Sequence, residues 1–79
     1  MSDKLYNLVL WSDSINQASY SQLGLRLTLG FDCADAERHI EEIAVAGRSV
    51  LACDALERIE PHLCALRRFG LPATIEVAR

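Results

Sequence analysis

The feature that most constrains this chain is the stretch from Asp32 to Pro72, where two amphipathic segments flank a short apolar run. Asp32 can accept backbone N–H bonds as a helix N-cap, and Asp35 and Glu37 suit the positive end of a helix dipole. Ala36, Ile40, Ile43 and Ala44 recur at i, i+4, i+7 and i+8, the period of one helix face. The spacing predicts a helix from about Cys33 to Ala46 that ends at Gly47, with Arg38, Glu41 and Glu42 on its other side. Arg48 to Ala52, with Val50 and Leu51, is too short for a further helix and fits a buried strand.

A second helix follows. Asp54-Ala-Leu-Glu57 has the form of a capping box, and Leu56, Ile59, Leu63 and Leu66 supply an apolar stripe. Arg67 and Arg68 sit in its last turn, and Gly70 and Pro72 end it. Pro61 divides this reading, because an interior proline loses a hydrogen bond and clashes with the preceding turn at about 3 kcal/mol. Either the helix runs through it, or Asp54–Glu60 is a separate turn and Pro61 opens the true helix at its first position.

The flanks complete the plan. Leu5 to Trp11 is rich in apolar and β-favouring residues and reads as a first strand, with Ser12-Asp13-Ser14 as its exit loop. Thr74 to Ala78 reads as a closing strand. Between the first strand and Asp32, Asn16 to Phe31 is open on pattern alone. Leu23, Leu25, Leu27 and Leu29 alternate with Gly24, Arg26 and Thr28, which is the period of a half-buried strand. As a helix the segment would carry Tyr20, Leu23 and Leu27 on one face and Leu25 and Leu29 on the opposite one. The second stripe then needs the sheet or another chain to cover it.

Length and charge narrow the function classes. At 79 residues the chain is near the lower limit for a single core without disulfides, metals or a second subunit, so one domain, spanning 1–79 with its core at about 4–78, is expected. Cys33, Cys53 and Cys64 are odd in number and unpaired in spacing, which suits reduced thiols in a cytoplasmic compartment rather than a secreted disulfide framework. No apolar run approaches the roughly 18 residues of a membrane span. The net charge is −3 and the seven arginines are scattered, with only Arg67 and Arg68 adjacent, so the clustered positive charge that binds nucleic acid is missing. His39 and His62 with the three cysteines lack any metal-ligand spacing, and no Ser or Cys stands beside a His in a catalytic motif. No cofactor and no enzymatic activity are expected. Cys64, near the stripe of the last helix, reads as a small buried apolar residue.

Several local strings carry a family resemblance. Tyr6-Asn7-Leu8-Val9-Leu10, Leu29-Gly30-Phe31, Ala36 to Ile43, Gly47-Arg48-Ser49-Val50 and Ala65-Leu66-Arg67-Arg68-Phe69-Gly70-Leu71-Pro72, in this order, resemble the ClpS adaptor family, whose fold is shared by the C-terminal domain of ribosomal protein L7/L12. The resemblance implies an α+β domain of order β-α-α-β-α-β, a three-stranded sheet with helices on one face, and tips 16–31 toward helix. It also implies a protein- or peptide-binding adaptor that delivers substrates to a Clp unfoldase.

ClpS adaptors hold a substrate's α-amino group with an Asn-Asp-Asp loop after the first strand and a histidine late in the second helix. Such acceptors are needed because an ammonium leaving water must be paired. Here the loop reads Ser12-Asp13-Ser14, the histidine position falls on Ala44, and the methionine that gates the side-chain pocket corresponds to Ala18. The resemblance thus implies a peptide site at Ser12, Asp13, Ser14, Asn16, Ala18, Tyr20 and Ala44, with most of the amine-binding motif replaced. The segment after Val50, where ClpS contacts its unfoldase, is about one helical turn shorter, closer to the L7/L12 domain, whose lysine-rich face has no counterpart here because Lys4 is the single lysine.

Each site residue also has a plainer reading. Asp13 between two serines can receive an amine or close an Asx turn. The acidic residues Asp35, Glu37, Glu41 and Glu42 are a solvated helix face unless a basic partner docks there. Trp11, Leu25 and Leu29 either pack inside or form a partner interface, which is the basis for expecting a homodimer or complex-assembly module as the alternative function.

Overall fold

The computed structural model describes residues 4–15 and 17–78. Strand β1 (Tyr6–Trp11) is followed by helices α1 (Ala18–Leu29) and α2 (Cys33–Ala46), strand β2 (Arg48–Asp54), helix α3 (Leu56–Arg68) and strand β3 (Ala73–Val77). The strands form one antiparallel sheet in the order β2-β1-β3, with the helices on one face, which is the α+β plan expected from the sequence. β1 is central because its Leu8, Val9 and Leu10 can be covered on both sides, and all three are buried. Leu8 and Leu10 point to the helices and meet Leu25, Ala36, Ile59, Leu66 and Leu71 in the core. Each fully buried leucine or isoleucine there contributes about 1.5–3 kcal/mol.

The register between β1 and β2 shifts between Leu8, opposite Ala52, and Val9, opposite Val50, so Leu51 is an extra residue on the edge strand. The bulge lets Leu51 reach the core while Val50 stays half exposed. At the far end of the sheet the backbone N–H of Ala78 donates to the Leu5 carbonyl at 2.8 Å, extending the β1–β3 pairing past both strands.

Residues 18–29 are helical, and the packing explains why. A strand would set Leu23, Leu25, Leu27 and Leu29 on one face, all needing cover. The helix divides them: Leu25 is fully buried and Leu29 packs against the core, whereas Leu23 and Leu27 face outward. The expectation that Leu25 and Leu29 form a partner interface is therefore corrected, because the sheet side of the domain already covers that stripe. Gly24 permits this fit, since a Cβ there would stand 2.7 Å from Leu71 Cδ1 and 2.9 Å from Phe69 Cδ1.

Helix α2 begins as predicted, with the Asp32 side chain accepting from the Asp35 N–H at 2.7 Å, and closes on Gly47 in the left-handed region at φ 84°. Helix α3 departs from expectation at its start. β2 runs on to Asp54, so Ala55 rather than Asp54 is the N-cap and no side-chain cap forms; Asp54 instead accepts from the Ala55 N–H and lies 3.9 Å from Arg58. Of the two readings of Pro61, the continuous helix holds: Pro61 lies on the exposed side while Ile59 and Leu66 anchor the buried face on either side of it. Cys64 is exposed, not buried, since it falls outside the Ile59–Leu66 stripe, and Cys33 and Cys53 are exposed too.

The sheet face away from the helices is closed by charge. Arg48 on β2 makes a bidentate ion pair with Glu76 on β3, crossing β1 at Val9, which is thereby buried without any helix above it. The Arg48 guanidinium also lies 5.1 Å from the Trp11 ring centroid, and Trp11 Nε1–H donates to Thr74 Oγ1 at 2.7 Å. The paired Arg48, hydrogen-bonded to it, holds the Glu76 carboxyl below its ordinary range.

Candidate functional site

The exit of β1 determines where a site forms. Trp11 N–H donates to the Pro72 carbonyl and Ser12 N–H to the Gly47 carbonyl, which tie the strand end between the β3 and α2 connections. The chain then turns at Asp13, whose carboxylate accepts from the Ile15 N–H at 2.8 Å, the Asx turn anticipated for this loop. An ionised carboxylate has about four acceptor positions, so closing this turn is compatible with receiving a ligand donor as well.

Between this loop, the start of α1 and the last turns of α2 lies a cavity of about 160 Å³. Leu10, Trp11, Ser12 and Asp13 line it from β1 and the loop, Ala18 and Ser21 from α1, and Ile40, Ile43 and Ala44 from α2. Its walls are largely aliphatic, and among the described residues Asp13 is the single charged one on them. Such a site suits a ligand with an apolar group to bury and a cationic or N–H donor group to leave at the rim. Short side chains at Ala18 and Ala44 are part of why there is space.

Of the residues expected to bind peptide, Ser12, Asp13, Ala18 and Ala44 line this cavity, and Trp11, expected at a partner interface, lines it as well. Ser14 does not line it, and Asn16 lies outside the described residues. Tyr20 does not line it either. Its hydroxyl donates to the Phe69 carbonyl and its ring stacks on Phe69 with centroids 4.7 Å apart, so it joins α1 to the end of α3. Sequence reasoning did not name Leu10, Ser21, Ile40 and Ile43. Ile40 and Ile43 had been assigned to the core stripe of α2, and their period carries no sign that the stripe borders a cavity.

A polar cluster, with His39 and Ser49 buried and Glu42 exposed, stands beside the cavity on the neighbouring face of α2. His39 Nδ1 is 2.7 Å from Ser49 Oγ, and the Ser49 hydroxyl donates to Glu42. Because the single hydroxyl proton goes to Glu42, Nδ1 must be the protonated ring nitrogen and donates to Oγ. This is the reverse of a Ser–His nucleophile pair, in which the imidazole takes the hydroxyl proton. Burial lowers the pKa of His39, with Arg38 adding to the effect, and its ring stacks on Phe31 at 5.1 Å. The cluster pins α2 to β2. Among the described residues, no group of three His, Cys, Asp or Glu side chains is placed to hold a metal ion, and no helix is long and apolar enough to cross a membrane.

No protein-family model matches the chain, and no curated protein is similar to it in sequence. Solved structures are more informative. The structure of Agrobacterium tumefaciens ClpS2 bound to L-phenylalaninamide superposes with a TM-score of 0.86 over 96% of this chain and 99% of that one, at 18% sequence identity. The chain therefore has the fold seen in that ClpS protein.

Proposed function

We propose that this chain is a non-catalytic adaptor-type module that binds the end of a peptide or protein segment in the cavity beside Asp13. The observation that carries the reading is the cavity itself: an aliphatic recess with one carboxylate at its rim, built from the loop after β1 and the last turns of α2. An N-terminal residue has the matching chemistry, an apolar side chain attached to the carbon that bears an ammonium. Asp13 pairs with the ammonium, while Leu10, Ile40 and Ile43 receive the side chain. The solved ClpS2 holds L-phenylalaninamide, a compound of this class, which supports the choice. Ser12 and Ser14 stand where adaptors of that family carry Asn and Asp, and Ala44 where they carry His, so the amine rests on fewer acceptors and binding is weaker than in those adaptors. Delivery of the bound segment to a larger machine, a Clp unfoldase among them, follows from the same reading.

The test is a titration of the full chain with L-phenylalaninamide and with N-acetyl-phenylalaninamide, followed by amide chemical shifts. Saturable shifts at Leu10, Asp13 and Ile43 with the free amine only, lost in Asp13→Asn, support the reading. Equal response to both compounds, or none at millimolar concentration, sinks it. Leu25 is fully buried and Leu29 packs against the core, so neither offers the surface for the alternative of a homodimer or complex-assembly module on the apolar face of α1.

A further inference from the structure

The acidic residues of this chain avoid one region. No Asp or Glu occurs between Ser14 and Phe31 or between Pro61 and Ile75, while Arg26, Arg67 and Arg68 fall within those spans. The fold brings the two spans together, because Tyr20 stacks on Phe69 and the Phe69 and Leu71 side chains close over Gly24. The result is one continuous surface made by the outer side of α1 and the end of α3. It carries two exposed arginines, Arg26 and Arg68, and no carboxylate among the described residues, on a chain whose net charge is −3.

Two further features set this surface apart. Leu23 and Leu27 lie on it, with Leu27 67% exposed, beside a half-exposed Tyr20, so the outer side of α1 presents an apolar row at i, i+3 and i+7. Among the described residues, Arg26 and Arg68 take part in no ion pair, although Arg38, Arg48 and Arg58 all do, and Arg67 is turned to β3, its Nε–H donating to the Ala73 carbonyl at 3.1 Å. An apolar helical row flanked by uncompensated guanidinium groups is complementary to a helix with apolar residues at the same spacing and carboxylates beside them.

We propose that the outer face of α1 with the end of α3 is a docking surface for an acidic amphipathic helix of another protein, Leu23 and Leu27 burying its apolar side and Arg26 and Arg68 pairing with its carboxylates. The surface lies on a different side of α1 from the Asp13 cavity, and the proposal stands independently of what that cavity binds. A helix docked here leaves the cavity open.

The probe is an N-acetylated, C-amidated peptide of about five helical turns, with leucines at i, i+3 and i+4 spacing and glutamates elsewhere, compared with the same peptide carrying lysine for glutamate. The acetyl group removes the amine that the Asp13 cavity would take. The expected result is saturable amide shifts in the full chain at Leu23, Arg26, Leu27 and Arg68 with the acidic peptide and none with the basic one. Affinity falls on the order of tenfold when Arg26→Glu and Arg68→Glu are combined, and also as salt is raised from low to physiological strength. Both side chains are exposed, so circular dichroism and thermal midpoint of that variant stay as in the parent. Equal binding of the two peptides, shifts confined to the Asp13 cavity, or no shifts at millimolar peptide overturns the proposal. So does sedimentation showing a dimer that Leu27→Ser abolishes, because a second copy would then be what covers the face.

Discussion

Helices α1 and α2 form two walls of the same cavity but are held in opposite ways. α2 is specified locally: Asp32 caps its start, Gly47 ends it, and the His39–Ser49–Glu42 cluster bolts its middle to β2. α1 has no side-chain cap at Gln17, a glycine at its centre and a sequence that alternates like a strand, and its order comes from what it packs on: Leu25 in the core, Gly24 under Phe69 and Leu71, Tyr20 against Phe69. A wall of the first kind keeps its shape from within. A wall of the second kind is only as firm as the core beneath it, and so is the half of the cavity that Ala18 and Ser21 contribute.

The largest effect that would break this comparison is at Leu25. Leu25→Ala removes a fully buried side chain and should destabilise the domain by about 3 kcal/mol in urea unfolding, a large share of what a domain of this size has. If the loss is instead well under 1 kcal/mol, α1 does not depend on the core. Gly24→Ala is the next test. Alanine gains about 1 kcal/mol of helix propensity, yet its Cβ would overlap Leu71 and Phe69, and overpacking of this kind costs about 1–3 kcal/mol. The expected net result is destabilisation by about 1 kcal/mol, and a stabilised variant would mean that local propensity, not tertiary fit, governs α1.

On the α2 side, Asp32→Ala should cost about 1 kcal/mol by removing the bond to the Asp35 N–H, with Asp32→Asn nearly neutral. The smallest effect concerns pH. His39 is buried with a lowered pKa, so the folded state takes up fewer protons than the unfolded one, and stability falls as pH drops below 6.5 toward the folded value. Glu76, whose pKa is also lowered, adds a second decline that begins as pH drops below about 4.5. Thermal midpoints recorded against pH should therefore slope downward on acidification, the upper part of the slope disappearing in His39→Gln and the lower part in Glu76→Gln.

The same contrast explains what could be read from the sequence. α2, its cap and its terminating glycine were legible because each signal is carried by residues a few positions apart. The β-α-α-β-α-β order followed from that, but the helical state of 18–29 needed the family resemblance, since its period-two leucines are separated into inner and outer rows only by contacts with Leu71, Phe69 and the sheet. The start of α3 was misplaced by one residue because β2 pairing with β1 extends to Asp54, a long-range effect that overrides the local capping pattern. At the site, the loop residue Asp13 was visible as a motif. Ile40 and Ile43 were not, since a residue lining a cavity and a residue in the core have the same helical period.

The hydrogen bond from Ala78 to Leu5 has a practical consequence for how the domain can be joined to other proteins. It holds the beginning of β1 and the end of β3 side by side, at the opposite end of the central strand from Trp11 and the cavity. Six strand residues put about 20 Å between them. A reporter joined just before β1 or just after β3 thus departs from the pole remote from the recess, and the segment from Leu5 to Ala78 can be spliced into a host loop as a guest with both splice points together.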